Sequence, residues 1–351
     1  MILIRNEELE IRNVLVSVVI PMFNAEKFIA DCLESLLDQT LKDFEVIIVD
    51  DCSTDNSSAV VENFMEKFAA QGIHLHLVEL QKNSGTPACP RNIGIQFACG
   101  QYVCFLDSDD LLTETALEEL TTLAENFQAD VVHTDTFFML NEDKELELCR
   151  EQTLPPLSAP TFETQDLSKR IVNWINRGYN WESVTMFCKR IFLAANQINF
   201  PRLTTYEDMI FSFAVLCRAE KFLRVPNVTY VYRQRADSLS HKQMVAAEAF
   251  HKWLRVLNDG LNEFAKVMAS EKFFAENPDH RYVVLNFFFH EVLKIFTPLY
   301  GGNPQFAFDD FIKKEFHAED AELVAQLFNT VHVQRLALAD MRQELAKFQK
   351  Q

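Results

Sequence analysis

The most informative segment of the chain is YVCFLDSDD, in which Tyr102-Val103-Cys104-Phe105-Leu106 leads into Asp107-Ser108-Asp109-Asp110. The first part is mostly apolar, which is typical of a buried strand. The carboxylates that follow are crowded, and crowded carboxylates repel one another. A divalent cation between them would relieve the repulsion, because Mg²⁺ and Mn²⁺ prefer oxygen ligands. Alternatively, residues 107–110 cap the next helix, since Asp favours helix N-termini. The stretch alone leaves both interpretations open.

The composition of the whole chain excludes several classes of partner. Its 351 residues suffice for one large domain or two ordinary ones, and 48% hydrophobic with 24% charged residues is a globular balance. The net charge of −18 argues against nucleic acid and against anionic lipid, which are bound through Lys and Arg. A small molecule that carries phosphate stays compatible if a metal or a few basic residues supply local positive charge.

The cysteines and the apolar runs indicate the compartment. The eight cysteines form no C-x-x-C pair, and several lie in apolar runs, as reduced core cysteines do. Glu7, Glu8 and Glu10 precede any long apolar stretch, so no signal peptide is expected, and no run approaches the roughly 20 apolar residues of a spanning helix. We therefore expect a cytoplasmic protein, or one peripheral to the inner face of the membrane.

Strand and helix patterns alternate along the first part of the chain. Strands are predicted at 14–21, 44–49, 75–80, 102–106 and 130–134, and helices at 25–39, 55–68, 91–98 and 115–127. This alternation predicts an α/β fold with a mainly parallel sheet, in which ligands bind beyond the carboxyl ends of the strands. Acidic or amide side chains follow three of these strands, at Asn24, Asp51 and Asp107. A Rossmann or P-loop site is the rival, but neither glycine-rich motif follows the first strand.

The remainder of the chain divides into three parts. Residues 141–170 are polar with three prolines and are predicted to be rich in loops. From residue 243 the pattern is helical, so we predict domains at 1–242 and 243–351. Apolar residues from 327 to 348 recur at steps of three and four, which suits a short coiled coil or a helix docked on its own domain. Trp174 and Trp181 could stack on an acceptor sugar or fill the core.

Several motifs, taken in order, resemble the family 2 inverting glycosyltransferases with the GT-A fold. The matching segments are VVIPMFN (18–24), IVDDCSTD (48–55), NSG (83–85), RNIG (91–94), FLDSDD (105–110), YED (206–208) and YRQR (232–235). The resemblance covers about residues 14–241 and leaves the C-terminal hundred or so residues outside. The chain departs from the family at Cys89-Pro90, where small residues are usual, and at Cys52, where Gly is common.

The resemblance implies a nucleotide-binding set and a diphosphate-binding set. Nucleotide contacts are implied for Pro21, Phe23, Asp51, Asn83, Arg91, Asp107 and Ser108. Phe23 would stack on the base, Asp51 would accept a hydrogen bond from the uracil N–H, and Asp107 would contact the ribose. The diphosphate would meet a segment that closes over the donor, with Arg233, Arg235, Ser238 and Ser240. The competing interpretations are that Phe23 fills the core and that Arg91 is an exposed structural residue.

The resemblance also implies the metal and the base. Asp109 would hold Mn²⁺ or Mg²⁺, with His241 as a further ligand, and Asp110 would support the site or cap a helix. Asp208 would act as catalytic base, and Glu207 would bind the acceptor or orient the base. An acidic helix N-terminus without chemistry is the alternative for Glu207 and Asp208.

The expected function is therefore metal-dependent, inverting transfer of a sugar from a nucleotide-sugar, with a UDP-sugar expected, to a hydroxyl of a glycan or other acceptor. Such a reaction would serve the synthesis of cell-surface polysaccharide or glycoconjugate. A sugar-phosphate nucleotidyltransferase is one alternative, but residues 21–26 lack its Gly- and Arg-rich loop. The other is a nucleotide-binding scaffold that acts through its C-terminal helices. Those helices could also bind acceptor or mediate self-association.

Overall fold

The computed structural model describes residues 2–5, 14–141, 145–149, 154–176, 178, 180–234 and 246–299. The strands are β1 (Ile2–Arg5), β2 (Val16–Met22), β3 (Phe44–Asp50), β4 (His74–Leu80), β5 (Tyr102–Phe105), β6 (Leu111–Leu112), β7 (Val131–Thr134), β8 (Phe138–Leu140), β9 (Leu146–Leu148), β10 (Thr161–Phe162), β11 (Met186–Lys189), β12 (Phe222–Val225) and β13 (Tyr230–Arg233). The helices are α1 (Ile29–Leu37), α2 (Ser57–Glu62), α3 (Met65–Ala70), α4 (Ala88–Phe97), α5 (Ala116–Phe127), α6 (Leu167–Ile175), α7 (Arg190–Ala195), α8 (Glu207–Arg218), α9 (Ala246–Ala269), α10 (Lys272–Glu276) and α11 (Pro278–Leu299). A 3₁₀ turn, Ser183–Thr185, leads into β11.

The predicted α/β fold with a mainly parallel sheet is confirmed. Within the described residues the main sheet has nine strands, in the order β1-β4-β3-β2-β5-β11-β7-β12-β10. Strands β2, β3, β4 and β5 are parallel, as are β7 and β12, whereas β1, β10 and β11 run antiparallel to their neighbours. The acidic turn, residues 107–110, follows β5. A smaller sheet, β6-β13-β8-β9, lies beyond it.

The centre of the main sheet is buried on both faces. Every residue of β2 and β3 is buried, which explains why both read as continuous apolar runs rather than alternating ones. Helix α1 turns Ile29, Cys32, Leu33 and Leu36 toward this core, as their spacing predicts. Helix α4 lies so close to β2 that a Cβ at Gly94 would stand 2.3 Å from Val19 Cγ1, so glycine is required there.

Two of the predicted elements are wrong in detail. The helix predicted at 55–68 is two helices, α2 and α3, because the backbone turns at Phe64, whose N–H bonds to Val61 O at 2.9 Å. The stretch predicted to be loop-rich, 141–170, also contains β9, β10 and the start of α6 in its described part. Strands β9 and β10 lie at sheet edges with exposed residues, so they lack the apolar pattern that marks a buried strand.

The chain divides into two compact units, Met1–Gln243 with Arg255–Phe289, and Met244–Leu254 with His290–Gln351. Residues 255–289 thus belong to the unit that contains both sheets, and the predicted division of roles at residue 243 stays a prediction. The apolar positions at 327–348 lie outside the described residues. In the part of the chain that the structure describes, no helix combines the length and apolarity needed to cross a membrane.

Candidate active site

In the acidic turn after β5, the carboxylate of Asp110 is held by hydrogen bonds within the protein. Asp110 is buried, its Oδ2 accepts a 2.5 Å hydrogen bond from the Tyr230 hydroxyl, and its Oδ1 accepts from the Arg233 N–H at 2.8 Å. Burial raises the pKa of Asp110, and the charges of Asp109 and Asp107 raise it further. The interpretation that Asp110 caps a helix is wrong, because β6 separates the turn from α5. Asp110 instead joins the turn to β13.

Arg91, on α4, joins three carboxylates from distant parts of the chain. Its Nη2 donates to Asp107 Oδ1 at 2.8 Å, and its Nη1 donates to Glu207 Oε1 at 3.1 Å and Asp208 Oδ1 at 3.0 Å. The guanidinium is buried and lies over the Phe200 ring at 5.3 Å. Burial acts to lower the pKa of Arg91, but the carboxylates outweigh it and raise that pKa, so Arg91 stays charged. The interpretation of Arg91 as an exposed structural residue is wrong.

The predicted base and its neighbour begin α8, after Tyr206, whose backbone takes the left-handed φ of 69°. Glu207 is buried, whereas the side chain of Asp208 is 27% exposed and its Oδ1 accepts from Ser183 Oγ at 2.8 Å. Burial raises the pKa of Glu207 to about 7, with Asp208 adding to the rise and Arg91 opposing it. Burial also raises the pKa of Asp208, again opposed by Arg91. A carboxylate with a raised pKa and an exposed edge is suited to accept a proton.

The residues predicted to hold the base of a nucleotide lie at and near the carboxyl ends of β2 and β3. Pro21 lies in β2 beyond the point where β5 pairs with it, so its missing N–H breaks no ladder bond to β5. Phe23 is 49% exposed, so the interpretation that it fills the core is wrong. Asp51 is buried, accepts from Ser84 N and Ser84 Oγ, both at 2.8 Å, and has its own carbonyl bound by Asn83 Nδ2 at 3.0 Å. Burial raises the pKa of Asp51, and the Ser84 hydrogen bonds oppose the rise.

Arg233 is already engaged by the protein. Its Nη2 donates to Asp31 Oδ2 at 2.8 Å, its Nε donates to Asp109 O at 3.0 Å, and its guanidinium lies over the Phe28 ring at 5.5 Å. These contacts attach β13 to the acidic turn and to α1, so the diphosphate contact predicted for Arg233 would have to compete with Asp31. The other members of the predicted closing segment, Arg235, Ser238, Ser240 and His241, lie outside the described residues.

The acidic turn offers few ligands for the expected metal. Among the described residues there is no group of three or more His, Cys, Asp or Glu side chains that could hold an ion. Asp107 and Asp109 stand on either side of the buried Ser108 in the sequence. The charges of both carboxylates raise the pKa of Asp110. One or two carboxylates completed by substrate phosphates is the usual site for Mg²⁺, so Asp109 with a bound diphosphate fits the expected ion.

The two tryptophans that could have faced an acceptor sugar are core residues. Trp174 is fully buried and Trp181 nearly so, with ring centroids 5.7 Å apart. Trp174 also packs against Phe213 of α8 at 5.1 Å and Phe264 of α9 at 5.9 Å. The core interpretation is therefore right, and the acceptor interpretation is wrong.

Four side chains of the site were not among its predicted members. Ser84 stands within the NSG segment, so its closeness to Asp51 could have been suspected from the motif. Ser183, Tyr230 and Asp31 lie in no motif, and each reaches the site from a different element. Only their contacts with Asp208, Asp110 and Arg233 identify them.

The fold and the acidic edge of the sheet agree with the similarity to known proteins. Residues 17–181 match the family model for Glycosyl transferase family 2. This matched segment is a family 2 glycosyltransferase domain, and the described residues have the GT-A fold.

The match with each of two curated relatives covers only part of that relative's length. EpsJ, an uncharacterized glycosyltransferase of Bacillus subtilis (strain 168), is 31% identical over 232 residues, which are 64% of this chain and 63% of EpsJ. The poly(ribitol-phosphate) β-N-acetylglucosaminyltransferase TarS of Staphylococcus aureus (strain Mu50 / ATCC 700699) is 29% identical over 259 residues, 71% of this chain and 42% of TarS. The chain thus spans less than two thirds of either relative.

Solved structures show the same fold. The crystal structure of S. aureus TarS 1–349 in complex with UDP-GlcNAc superposes with a TM-score of 0.65 at 24% identity, covering 85% of this chain and 81% of that one. The mannosyltransferase PcManGT from Pyrobaculum calidifontis, in complex with GDP-Man and Mn²⁺, superposes with a TM-score of 0.50 at 18% identity, covering 83% of this chain and 77% of that one.

Proposed function

We propose that this protein transfers a sugar from a UDP-sugar to a hydroxyl of a glycan or related acceptor, with inversion at the anomeric carbon. The product would enter cell-surface polysaccharide or glycoconjugate. The reaction belongs in the cytoplasm, at most peripheral to the inner face of the membrane. All eight cysteines are free thiols, which agrees with a reducing compartment.

One observation carries the proposal: the carboxylate of Asp208 is partly exposed while Arg91 and Ser183 hold one of its oxygens. Arg91 also binds Asp107, the first carboxylate of the acidic turn, so the candidate base and the candidate ribose contact share one buried cation. A base close to the donor site is what direct displacement requires.

The proposed step involves the acceptor hydroxyl, the UDP-sugar and the carboxylate of Asp208. An acceptor hydroxyl oxygen attacks the anomeric carbon from the side opposite the leaving group, and its proton passes to Asp208. The new oxygen–carbon bond forms as the bond from that carbon to the diphosphate oxygen breaks, and UDP departs with the electron pair. Attack from the opposite side inverts the anomeric configuration.

The nucleotide would be held at the carboxyl ends of β2 and β3. Phe23 is exposed at the end of β2 and would stack on uracil, and Asp51 would accept from the uracil N–H in place of one Ser84 hydrogen bond. The crystal structures of TarS 1–349 with UDP-GlcNAc and with UDP support this choice of nucleotide. The poly(ribitol-phosphate) named for TarS supports a cell-surface acceptor.

A divalent cation at Asp109 would supply positive charge against the departing diphosphate. The Mn²⁺ in the PcManGT complex supports Mn²⁺ or Mg²⁺ in that role. Asp110 would keep the turn in place through Tyr230 and the backbone of Arg233.

The test is hydrolysis and transfer with a panel of UDP-sugars, followed by NMR of the anomeric proton of the first product. UDP-GlcNAc carries an α-linked sugar, so the first product should be β. Asp208→Asn should lower turnover by roughly 10²- to 10⁴-fold, because the base is lost, while UDP binding is kept.

Asp31→Asn is the matched control, since it changes a carboxylate that contacts Arg233 rather than Arg91. It should keep far more turnover than Asp208→Asn. Retention of the α configuration would refute direct displacement, and full turnover of Asp208→Asn would refute the base.

A further inference from the structure

The two oxygens of the Asp208 carboxylate differ in their surroundings. Oδ1 accepts from Ser183 Oγ at 2.8 Å and from Arg91 Nη1 at 3.0 Å. Among the described residues, Oδ2 receives no hydrogen bond, although the side chain is 27% exposed. One edge of the carboxylate is therefore anchored, and the other is open to a ligand.

The two groups that donate to Oδ1 differ in how many carboxylates they bind. Arg91 divides its donors among Asp107, Glu207 and Asp208, so it balances the charge of the whole cluster. The Ser183 hydroxyl is fully buried, and within the described residues its side-chain hydrogen bond goes to Asp208 alone. Ser183 is thus the donor specific to the candidate base.

The backbone that carries Ser183 is held on both sides. Before it, Trp181 Nε1 donates to Trp174 O at 3.0 Å, and Asn180 Nδ2 donates to Asp135 O at 3.2 Å. After it, the Thr185 N–H donates to Glu182 O at 3.1 Å, which closes the 3₁₀ turn, and Thr185 Oγ1 donates to the same carbonyl at 2.8 Å. A hydroxyl on so constrained a turn can hold a carboxylate in one orientation.

We infer that Ser183 is a positioning residue, which fixes the Asp208 carboxylate so that Oδ2 is the atom that takes the acceptor proton. The inference rests on the proposed function and adds to it the residue that orients the base and the oxygen that reacts. The hydrogen bond also acts to lower the pKa of Asp208, against the burial that raises it. The charged and titratable groups facing Asp208 are Arg91, Asp107 and Glu207.

The experiment is Ser183→Ala in the full chain, with hydrolysis of whichever UDP-sugar the wild type consumes fastest. Loss of a hydrogen bond to a charged group predicts a fall in kcat of roughly 10- to 100-fold, with the KM for donor changed by less than about twofold. The acidic limb of the kcat–pH profile should move to higher pH, because the pKa of Asp208 rises without the Ser183 donor. A purely structural role would leave that limb in place.

Ser212→Ala is the matched control. Ser212 is also fully buried and lies on the same helix as Asp208. Its hydroxyl donates to Met209 O at 3.0 Å and accepts from Trp174 Nε1 at 3.3 Å, and it makes no bond to the base. Its kcat and acidic limb should equal those of the wild type, even if the melting temperature falls as much as in Ser183→Ala.

Two results would overturn the inference alone. One is a Ser183→Ala enzyme with the kcat and pH profile of an active wild type, and the other is an equal kcat loss in Ser212→Ala. A wild type that consumes no UDP-sugar would instead overturn the proposed function, and the inference with it.

Discussion

At the scale of single residues, charge is unbalanced around Arg91. One guanidinium meets Asp107, Glu207 and Asp208, and a buried carboxylate without a full counter-charge is costly. Glu207 is the most buried of the three, and its pKa is raised to about 7. The cluster loses part of its excess negative charge when Glu207 takes up a proton, which burial and the charge of Asp208 both favour.

Replacing Glu207 should therefore change how stability depends on pH. The folded-state pKa lies above the unfolded value of 4.5, so the stabilisation from protonated Glu207 is complete below about pH 4.5 and is lost as pH rises toward 7. Glu207→Gln stays neutral and escapes that loss. Relative to wild type, its free energy of unfolding should rise by roughly 1–3 kcal/mol between about pH 4.5 and pH 8. Denaturant unfolding at both pH values measures this change.

Glu34→Gln provides the comparison for this pH series, since Glu34 is exposed on α1. Its unfolding free energy should follow that of the wild type at both pH values. A Glu207→Gln protein that also follows the wild type would show that Glu207 is ionised across the range.

At the scale of elements, helices α9, α10 and α11 support the helix that carries the base. Phe213 of α8 packs against Phe264 of α9 at 5.2 Å and against Phe274 of α10 at 6.0 Å. Tyr206, next to Glu207, meets Phe288 of α11 edge-on at 5.5 Å. Because the four phenylalanine rings are buried, residues 255–289 form part of the support of the site whatever other role the C-terminal helices have.

Gly260 of α9 lies against Phe288 of α11, and Gly260→Ala tests the packing. A Cβ there would lie 2.3 Å from Phe288 Cζ, and Phe288 is fully buried between Phe264 and Tyr206. Alanine gains about 1 kcal/mol of helix propensity, but overpacking costs about 1–3 kcal/mol, so we expect net destabilisation. Thermal unfolding measures it.

Asn258→Ala, two residues earlier on the exposed side of α9, should leave the melting temperature unchanged or slightly higher. A Gly260→Ala protein more stable than wild type would mean that Phe288 can move aside without loss, and that the ring contacts to α8 and Tyr206 are not tightly packed.

At the scale of the whole molecule, a bound nucleotide should stabilise the unit that contains both sheets. A ligand that binds only the folded state adds RT ln(1 + [L]/Kd), about 2.7 kcal/mol at a hundredfold excess over Kd. We expect UDP to raise the melting temperature, and Mn²⁺ to increase that rise. Thermal shift with UDP, with and without Mn²⁺, measures both effects.

Asp109→Asn separates the two contributions. The variant should keep the stabilisation by UDP alone and lose the part that needs Mn²⁺, because Asp109 is the proposed ligand. If no nucleoside diphosphate shifts the melting temperature of the wild type, the nucleotide site is not where we propose it.

The sequence alone predicted strands β2, β3, β4, β5 and β7, most of the helices between them, and the edge of the sheet where the acids meet. This was possible because helices and strands each have a characteristic period in the pattern of apolar residues, and because parallel strands bring their carboxyl ends to one edge of the sheet. The acids after β3 and β5 were therefore predictable as neighbours, whereas the pair that begins α8 was predicted to join them only by the resemblance to the family 2 glycosyltransferases.

Which of these groups are in contact depends on the folded structure. Arg91 and Glu207 are 116 positions apart, and Ser183 and Asp208 are 25 apart, so no local pattern relates them. Periodicity also could not tell whether Trp174 faces a ligand or the core, nor that Asp110 binds Tyr230 instead of capping a helix. A hydrogen bond forms only where the fold brings a donor and an acceptor within about 3 Å of each other. Both that distance and the burial of a side chain depend on how distant segments pack together.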